Sequence, residues 1–264
     1  MSDRAHPQAP LGTYADLEGK VAIVTGGSLG IGAATCRELA HNNVKVAVVA
    51  RGTAGVDKVV EELRASGATA VGVPTDCTDL AALEEMVGIV EDRLGPPGVL
   101  VAFAGGFLGR TPILDISEVE WRAVVDSNLT ATFLTMKAVL PGMVERRSGA
   151  IVTMSSISGR FIDLPVTASY AAAKAGIAML TRHVAIEVGP HNVRCNAVAP
   201  GTTVSERVAK NLSPEALEDV ASMSPLRRIG LPEDTAAATC FLASDASSWL
   251  TGVTLDVAGG RVML

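Results

Sequence analysis

Aromatic residues are scarce: Phe, Trp and Tyr make up 3% of the 264 residues. So few rings argue against the stacking platforms that single-stranded nucleic acids require. Excess positive charge is missing too. Lys and Arg number 22 against 28 Asp and Glu, a net charge of -6, so no broad basic footprint for a polyanion is present. Cysteine is limited to Cys36, Cys77, Cys195 and Cys240. None forms a C-x-x-C pair and none has a histidine at ligand spacing, so no metal site is expected. A chain this long buries enough apolar surface to need no disulfide, and the four are expected as reduced, small core residues of a cytoplasmic protein. No run approaches the ~18 apolar residues of a membrane span, so no membrane partner is expected. Residues 1–14 carry Pro7 and Pro10 and no apolar signal core, and read as a disordered tail.

Aliphatic carbon and glycine are abundant. Hydrophobic residues reach 48%, glycine numbers 26, and the mean hydropathy is +0.34, too apolar for disorder. Seven short runs are rich in Val, Ile or Ala: Val21–Thr25, Lys45–Ala50, Thr69–Val73, Gly98–Ala104, Ala150–Ser155, Val193–Val198 and Val253–Val257. Each is bounded by Gly, Asn or Pro, the pattern of strands buried on both faces. Helical periods lie between them. Leu80, Leu83, Val87, Val90 and Leu94 share one face. Ser117-Glu118-Val119-Glu120 reads as a capping box with Ile116 and Trp121 as its hydrophobic staple, and Ser213-Pro214 as an N-cap followed by proline at N1. The alternation predicts an α/β fold: one doubly wound, Rossmann-type domain over residues 15–264, with a seven-stranded, mostly parallel sheet and helices on both faces. Residues from about 202 to 225 break the rhythm and read as a substrate loop.

Thr25-Gly26-Gly27-Ser28-Leu29-Gly30-Ile31-Gly32 follows the first strand and opens the first helix. Gly26 permits the tight turn. Gly30 and Gly32 allow close approach of a pyrophosphate, which the helix N-terminus attracts. The same stretch matches G-x-S-x-G, the nucleophile elbow of a serine hydrolase centred on Ser28. That alternative needs an acid and a histidine downstream. Only His41, His183 and His191 follow, none on an evident loop after a late strand.

A second constellation is Tyr170-Ala171-Ala172-Ala173-Lys174, inside the alanine-rich helical segment Ala168–Leu180. A spacing of four puts the phenol and the ammonium on one face. A free tyrosine titrates near ~10, and a neighbouring cation lowers that value. Lys174 is therefore the partner that an acid–base Tyr170 requires. Ser155-Ser156 ends the preceding strand, where a parallel sheet presents its active edge. Asn128 lies in the helical region before it.

The glycine turn, Asn128, Ser156, Tyr170 and Lys174, in this order, resemble the classical short-chain dehydrogenase/reductase family, and its 3-oxoacyl-(acyl carrier protein) reductase-like members in particular. The resemblance runs from about residue 17 to 260. It includes Asp76 at the end of the third strand, Asn196-Ala197-Val198-Ala199-Pro200-Gly201, Arg228-Ile229-Gly230-Leu231-Pro232-Glu233-Asp234 and Val257-Ala258-Gly259-Gly260. Two places depart from it. Ala102-Phe103-Ala104-Gly105 stands where the family usually has Asn-Asn-Ala-Gly, which puts local stability or loop geometry in question. Ser156 lies one residue farther from Tyr170 than is commonest. Ser156 is chosen over Ser155 because Ser156-Ile157-Ser158-Gly159 aligns with the family's turn, and strand alternation points the two serines to opposite sides.

The resemblance implies hydride transfer between a nicotinamide and a carbonyl or secondary alcohol. Tyr170 would carry the proton, and Lys174 would lower its pKa and hold the ribose. Ser156 would bind the substrate oxygen, and Asn128 would anchor a water relay. The implied cofactor-binding set is Gly26, Ser28, Leu29, Gly30, Ile31, Gly32, Arg51, Asp76, Cys77, Ala104, Gly105, Asn128, Tyr170, Lys174, Pro200, Gly201 and Thr203. At the end of the second strand Ala50 replaces the acid that would bind a ribose 2′-hydroxyl, and Arg51 suits a 2′-phosphate. NADP(H) and a ketoreductase are expected, with NAD(H) and a secondary alcohol or diol dehydrogenase as the alternative. A dinucleotide sensor without turnover would not need Tyr170 and Lys174. Phe107, Leu108, Phe161, Leu164, Val204 and Met223 suggest an apolar pocket for a ketone or β-ketoacyl group. Arg110 and Arg160 either meet a substrate anion or are solvated loop residues. Segments Ser117–Glu145 and Val166–Gly189 read as long helices carrying Val124, Leu129, Phe133, Leu134, Met136, Val139, Met179 and Leu180. That surplus of apolar surface predicts a homotetramer, or failing that a dimer.

Overall fold

Val21–Thr25 (β1) is buried at every position, and the four central residues of Lys45–Ala50 (β2) are buried as well. Strands this apolar need a covering layer on each side. The computed structural model describes residues 12–106, 109–161, 166–204 and 214–263. Within them five further strands follow: Ala70–Pro74 (β3), Pro97–Ala102 (β4), Gly149–Met154 (β5), Val193–Pro200 (β6) and Thr254–Val257 (β7). They form one sheet in the order β3-β2-β1-β4-β5-β6-β7. Every described pair of neighbours is parallel, so the sheet is wholly rather than mostly parallel. The order reverses between β1 and β4, which opens a crevice at the carboxyl ends of the strands.

The helices are Gly30–His41 (α1), Thr53–Ala65 (α2), Leu80–Leu94 (α3), Glu118–Val125 (α4), Ala131–Arg146 (α5), Ala168–Val188 (α6), Pro214–Ser222 (α7) and Pro232–Ala243 (α8). A π-helical turn, Asp126–Thr130, joins α4 to α5. One core packs Ile23, Leu100 and Ile151 against Leu83 and Met86 of α3, Met136 and Met143 of α5, and Val184 of α6. The other packs Val24, Val46 and Val48 against Leu39 of α1, Val56 and Val60 of α2, and Leu242 of α8. Each such aliphatic side chain contributes roughly 1.5–3 kcal/mol when fully buried.

Side chains start the helices where the pattern demands it. The Asp79 carboxylate accepts from the Ala81 and Ala82 amides at 2.9 and 3.2 Å. Ser117 Oγ accepts from the Glu120 amide at 3.1 Å, but the reciprocal half of the expected capping box is replaced: Glu120 Oε1 accepts from the Thr111 hydroxyl at 2.6 Å. α7 does begin at Pro214, while its expected cap, Ser213, lies outside the described residues. Residues 12–14, expected within the disordered tail, are tied down by Asn42. Its amide donates to the Gly12 carbonyl at 2.9 Å, and its Oδ1 accepts from the Tyr14 amide at 2.6 Å. All four cysteines are free and buried.

Candidate active site

β1 delivers its chain to the crevice through the glycine turn. Gly26 has φ +69°, and a Cβ there would lie 2.6 Å from the Phe103 carbonyl oxygen. Gly30 also has positive φ, and a Cβ on Gly32 would strike the Gly26 carbonyl. Bare backbone is therefore required where β1 meets α1. Among the described residues no side chain caps α1, whose N-cap is the exposed Leu29. The first-turn amides are left to face an anion, so the cradle fits a dinucleotide pyrophosphate. Ser28 sits against Gly55 of α2, where a Cβ would come within 3.2 Å of its own. The hydrolase alternative finds no support in the histidines. His41 closes the far end of α1, His183 is paired with Glu187 on the exposed side of α6, and His191 follows α6 at the opposite edge of the sheet.

Farther along the crevice, Arg51 is exposed just past β2. Asp76 Oδ1 accepts from the Thr78 amide and hydroxyl at 2.9 and 2.7 Å. Those bonds hold the Asp76 carboxyl below its ordinary pKa, and the nearby Arg51 charge acts in the same direction. Burial pushes the Cys77 thiol up to about 11, and it is hydrogen-bonded to the Thr135 side chain.

The loop after β4 compensates for its unusual sequence. Phe103 is buried in the core, where the family has an amide. Thr25 Oγ1, at the end of β1, accepts from the Phe103 and Ala104 amides at 3.1 and 3.2 Å. Asn128, fully buried in the π turn, holds Gly106: its Oδ1 accepts from the Gly106 amide and its Nδ2 donates to the Gly106 carbonyl, both at 3.1 Å. Gly105 has φ +127°, and a Cβ there would lie 2.5 Å from Asn128 Oδ1. The Asn128 carbonyl accepts from Thr132 Oγ1 at 2.8 Å and from the Ala131 amide. π turns frequently mark functional positions.

The two serines at the end of β5 part as alternation requires. Ser155 Oγ turns away and donates to the Lys174 carbonyl at 2.9 Å. Ser156 Oγ accepts from the Ser158 amide at 3.1 Å and is hydrogen-bonded to the Tyr170 hydroxyl. Lys174 Nζ donates to the Met154 carbonyl at 2.9 Å and lies 5.5 Å from the centre of the Tyr170 ring. Ser156, Tyr170 and Lys174 thus converge at one edge of the sheet. Their protonation differs from expectation. Burial raises the Tyr170 pKa above its ordinary value, with the Ser156 hydrogen bond opposing it, and burial lowers Lys174 to about 7. Desolvation outweighs mutual attraction, because a lysine titrating near 7 supplies only part of a charge at neutral pH.

The carboxyl end of β6 leads to Pro200 and Gly201, whose amide donates to the Val257 carbonyl at 3.0 Å. Thr203 forms an isolated parallel bridge with Gly230. Arg228 reaches the Asp234 carboxylate at 2.7 Å, and Asp234 also accepts from the Leu231 amide. The Asn196 amide group donates to the Leu250 carbonyl and accepts from the Val253 amide, which fixes the approach to β7. Of the expected pocket residues, Val204 is half-buried while Phe161 and Met223 are exposed; Phe107, Leu108 and Leu164 lie outside the described residues. Arg110 is exposed. Arg160 fits neither expectation. It donates to both Asp256 carboxylate oxygens, at 2.8 and 2.9 Å, and to the Thr254 carbonyl at 3.2 Å. Thr25 and Gly159 were given no role from the sequence, and Ser155 was weighed only as the alternative to Ser156. A threonine ending an otherwise apolar strand was the one available signal.

Among the described residues no His, Cys, Asp and Glu group is placed to hold a metal, and no helix is long and apolar enough to cross a membrane. Residues 26–261 match the family model described as enoyl-(acyl carrier protein) reductase. The chain is 38% identical over 249 residues to a 3-oxoacyl-(acyl carrier protein) reductase of Synechocystis sp., covering 94% of this chain and 98% of that one. It is 39% identical over 241 residues to the cis-4-hydroxycyclohexanecarboxylate dehydrogenase of Sinomonas cyclohexanicum, covering 91% and 96%. Among solved structures, a 3-oxoacyl-(acyl carrier protein) reductase of Brucella melitensis with bound NAD superimposes with a TM-score of 0.88 at 33% identity, covering 100% of this chain and 98% of that one.

Proposed function

Because the chain belongs to the short-chain dehydrogenases/reductases, oxidoreductases that interconvert CH–OH and C=O groups, we propose that it is an NADP(H)-dependent ketoreductase working through Ser156, Tyr170 and Lys174. The observation that carries this reading is the hydrogen-bonded Ser156–Tyr170 pair beside buried Lys174. It lies at the same sheet edge as the open glycine cradle. The nicotinamide nucleotide supplies the hydride when bound. The glycine turn and the α1 N-terminus would hold its pyrophosphate, and Asp76 its adenine. Ala104, Gly105, Pro200, Gly201 and Thr203 would line the nicotinamide side.

Ser156 Oγ orients the substrate carbonyl oxygen toward the Tyr170 hydroxyl. Tyr170 Oη donates its proton to that oxygen in reduction and takes it back in oxidation. Tyr170 then ends reduction as a phenolate, which burial disfavours. The Lys174 ammonium offsets that penalty. Asn128 keeps the Gly105–Gly106 backbone in place and, as the family resemblance implies, would anchor a proton relay. Free buried cysteines suit the cytoplasm.

Arg51 decides the nucleotide. A charge-assisted bond to a 2′-phosphate contributes roughly 1.5–3 kcal/mol, about tenfold or more in preference. The bound NAD of the Brucella relative and the dehydrogenase name of the Sinomonas relative favour a second reading, an NAD-dependent alcohol dehydrogenase. Measuring kcat/KM for NADPH and NADH in wild type and Arg51→Ala separates them. A wild-type preference for NADPH that falls about tenfold in the variant supports the proposal. A wild-type preference for NADH assigns the second reading, and an unchanged ratio in the variant shows that Arg51 is not the discriminator.

A further inference from the structure

We infer that Arg160 is a positioning residue for catalysis, its ion pair with Asp256 fixing the turn that carries Ser156. The inference rests on the roles proposed above for Ser156 and Tyr170. After β5 the chain makes a short 3₁₀ turn, Ile157–Gly159, with Ser156 as its N-cap. The Gly159 amide donates to the Ser156 carbonyl at 3.0 Å, and the Arg160 amide to the Ile157 carbonyl at 2.9 Å. Five residues therefore form a rigid unit from Ser156 to the Arg160 backbone.

One side of that unit is held by α6. Ser155 bonds to the Lys174 carbonyl, and a Cβ on Gly159 would lie 2.6 Å from the Lys174 carbonyl carbon. On the other side Arg160 ties the turn to Asp256 and the Thr254 carbonyl on β7. The two charged side chains are 17% and 16% exposed, so this is not a solvated surface pair. Asp256 is in register with Ala199 of β6, next to Pro200 and Gly201. The pair thus fixes the serine turn to the strand that runs beside the nicotinamide segment. Without it the turn after Ser156 loses its tie to β7 and keeps only the bond of the Ser155 amide to the Val198 carbonyl of β6, at 2.9 Å, on that side, and the angle at which the two hydroxyls meet a substrate oxygen loosens. Displacements of about 1 Å in such constellations cost up to about 10²-fold in rate.

The test compares wild type, Tyr170→Phe, Arg160→Met, Arg160→Lys and the double variant Arg160→Met/Asp256→Leu. It uses steady-state ketone reduction, fluorescence titration of NADPH, and thermal unfolding. In Arg160→Met, kcat is expected to fall about tenfold or more, with the NADPH Kd nearly kept. Its Tm should drop because Asp256 is left half-buried and without its Arg160 partner. In the double variant Tm should recover while kcat stays low, and Arg160→Lys should regain part of kcat. A merely structural pair predicts recovery of Tm and kcat together, and that result overturns the inference. So does wild-type kcat in Arg160→Met. With wild type active and Tyr170→Phe inactive, either result leaves the ketoreductase reading standing. A wild type that turns over no ketone or alcohol with either nucleotide removes that reading and this one with it.

Discussion

Tyr170 and Lys174 present opposite demands. Reduction needs a neutral phenol as proton donor and a cation to receive the phenolate it becomes. Burial keeps the phenol neutral well above neutral pH, and the same burial brings Lys174 down to about 7. Below that pH Lys174 is an ammonium; above it the charge that stabilises the phenolate is lost. The kcat/KM for ketone reduction, which reports the free enzyme, is therefore expected to fall as pH rises through about 7. In Lys174→Met the rate should be low and that limb absent; a wild-type profile flat from pH 6 to 9 would contradict the assignment of the limb to Lys174. Tyr170→Phe removes one hydroxyl and little else. It should lower kcat by about 10²–10⁴ while NADPH affinity, measured by titration, stays nearly constant.

At the scale of elements, β1 and β4 illustrate how much the chain revealed. Both are apolar at almost every position, so their existence and burial were legible. The end of β4 was not: the run was expected to reach Ala104 but the strand stops at Ala102, where Thr25 takes the next two amides. That bond spans 78 residues and leaves no local pattern. The partner of Arg160 is similarly remote, 96 residues away, so the residue could be singled out but not placed. The Ser156–Tyr170–Lys174 set was legible because spacing on a strand end and one helix face carries it. Its pKa values were not, because desolvation depends on what the fold stacks around the site. Thr25→Val tests the β1–β4 link. It leaves the Phe103 and Ala104 amides without their acceptor, at about 1–3 kcal/mol for each buried group. Urea denaturation should show a loss of at least about 2 kcal/mol, with Thr25→Ser retaining most of the stability. A valine variant as stable as wild type would mean that those amides find another partner.

For the whole molecule the open question is what covers α5 and α6. Val124, Met136 and Val139, counted in the sequence toward an association surface, are buried in the chain's own interior. Leu134 and Leu180 also pack against that core. What remains outward is different and sharper: Phe133 on α5, 46% exposed, and Met179 and Ile186 on α6, 60% and 78% exposed. Met179 and Ile186 are seven residues apart, two helical turns, and so share a face. Large apolar side chains on adjoining helix faces fit a self-complementary contact about a two-fold axis, in which each copy supplies the same patch. A homotetramer is the expected assembly, with a dimer as the alternative. Light scattering should give about four times the 27.1 kDa of one chain at micromolar concentration. Met179→Glu/Ile186→Glu places charge in the patch without touching either core, because both side chains point outward. It should reduce the assembled mass at least twofold while leaving the far-ultraviolet circular dichroism of the folded chain unchanged. A wild type that scatters as a single chain, or a double variant that keeps the wild-type mass, would show that this face is not where copies meet.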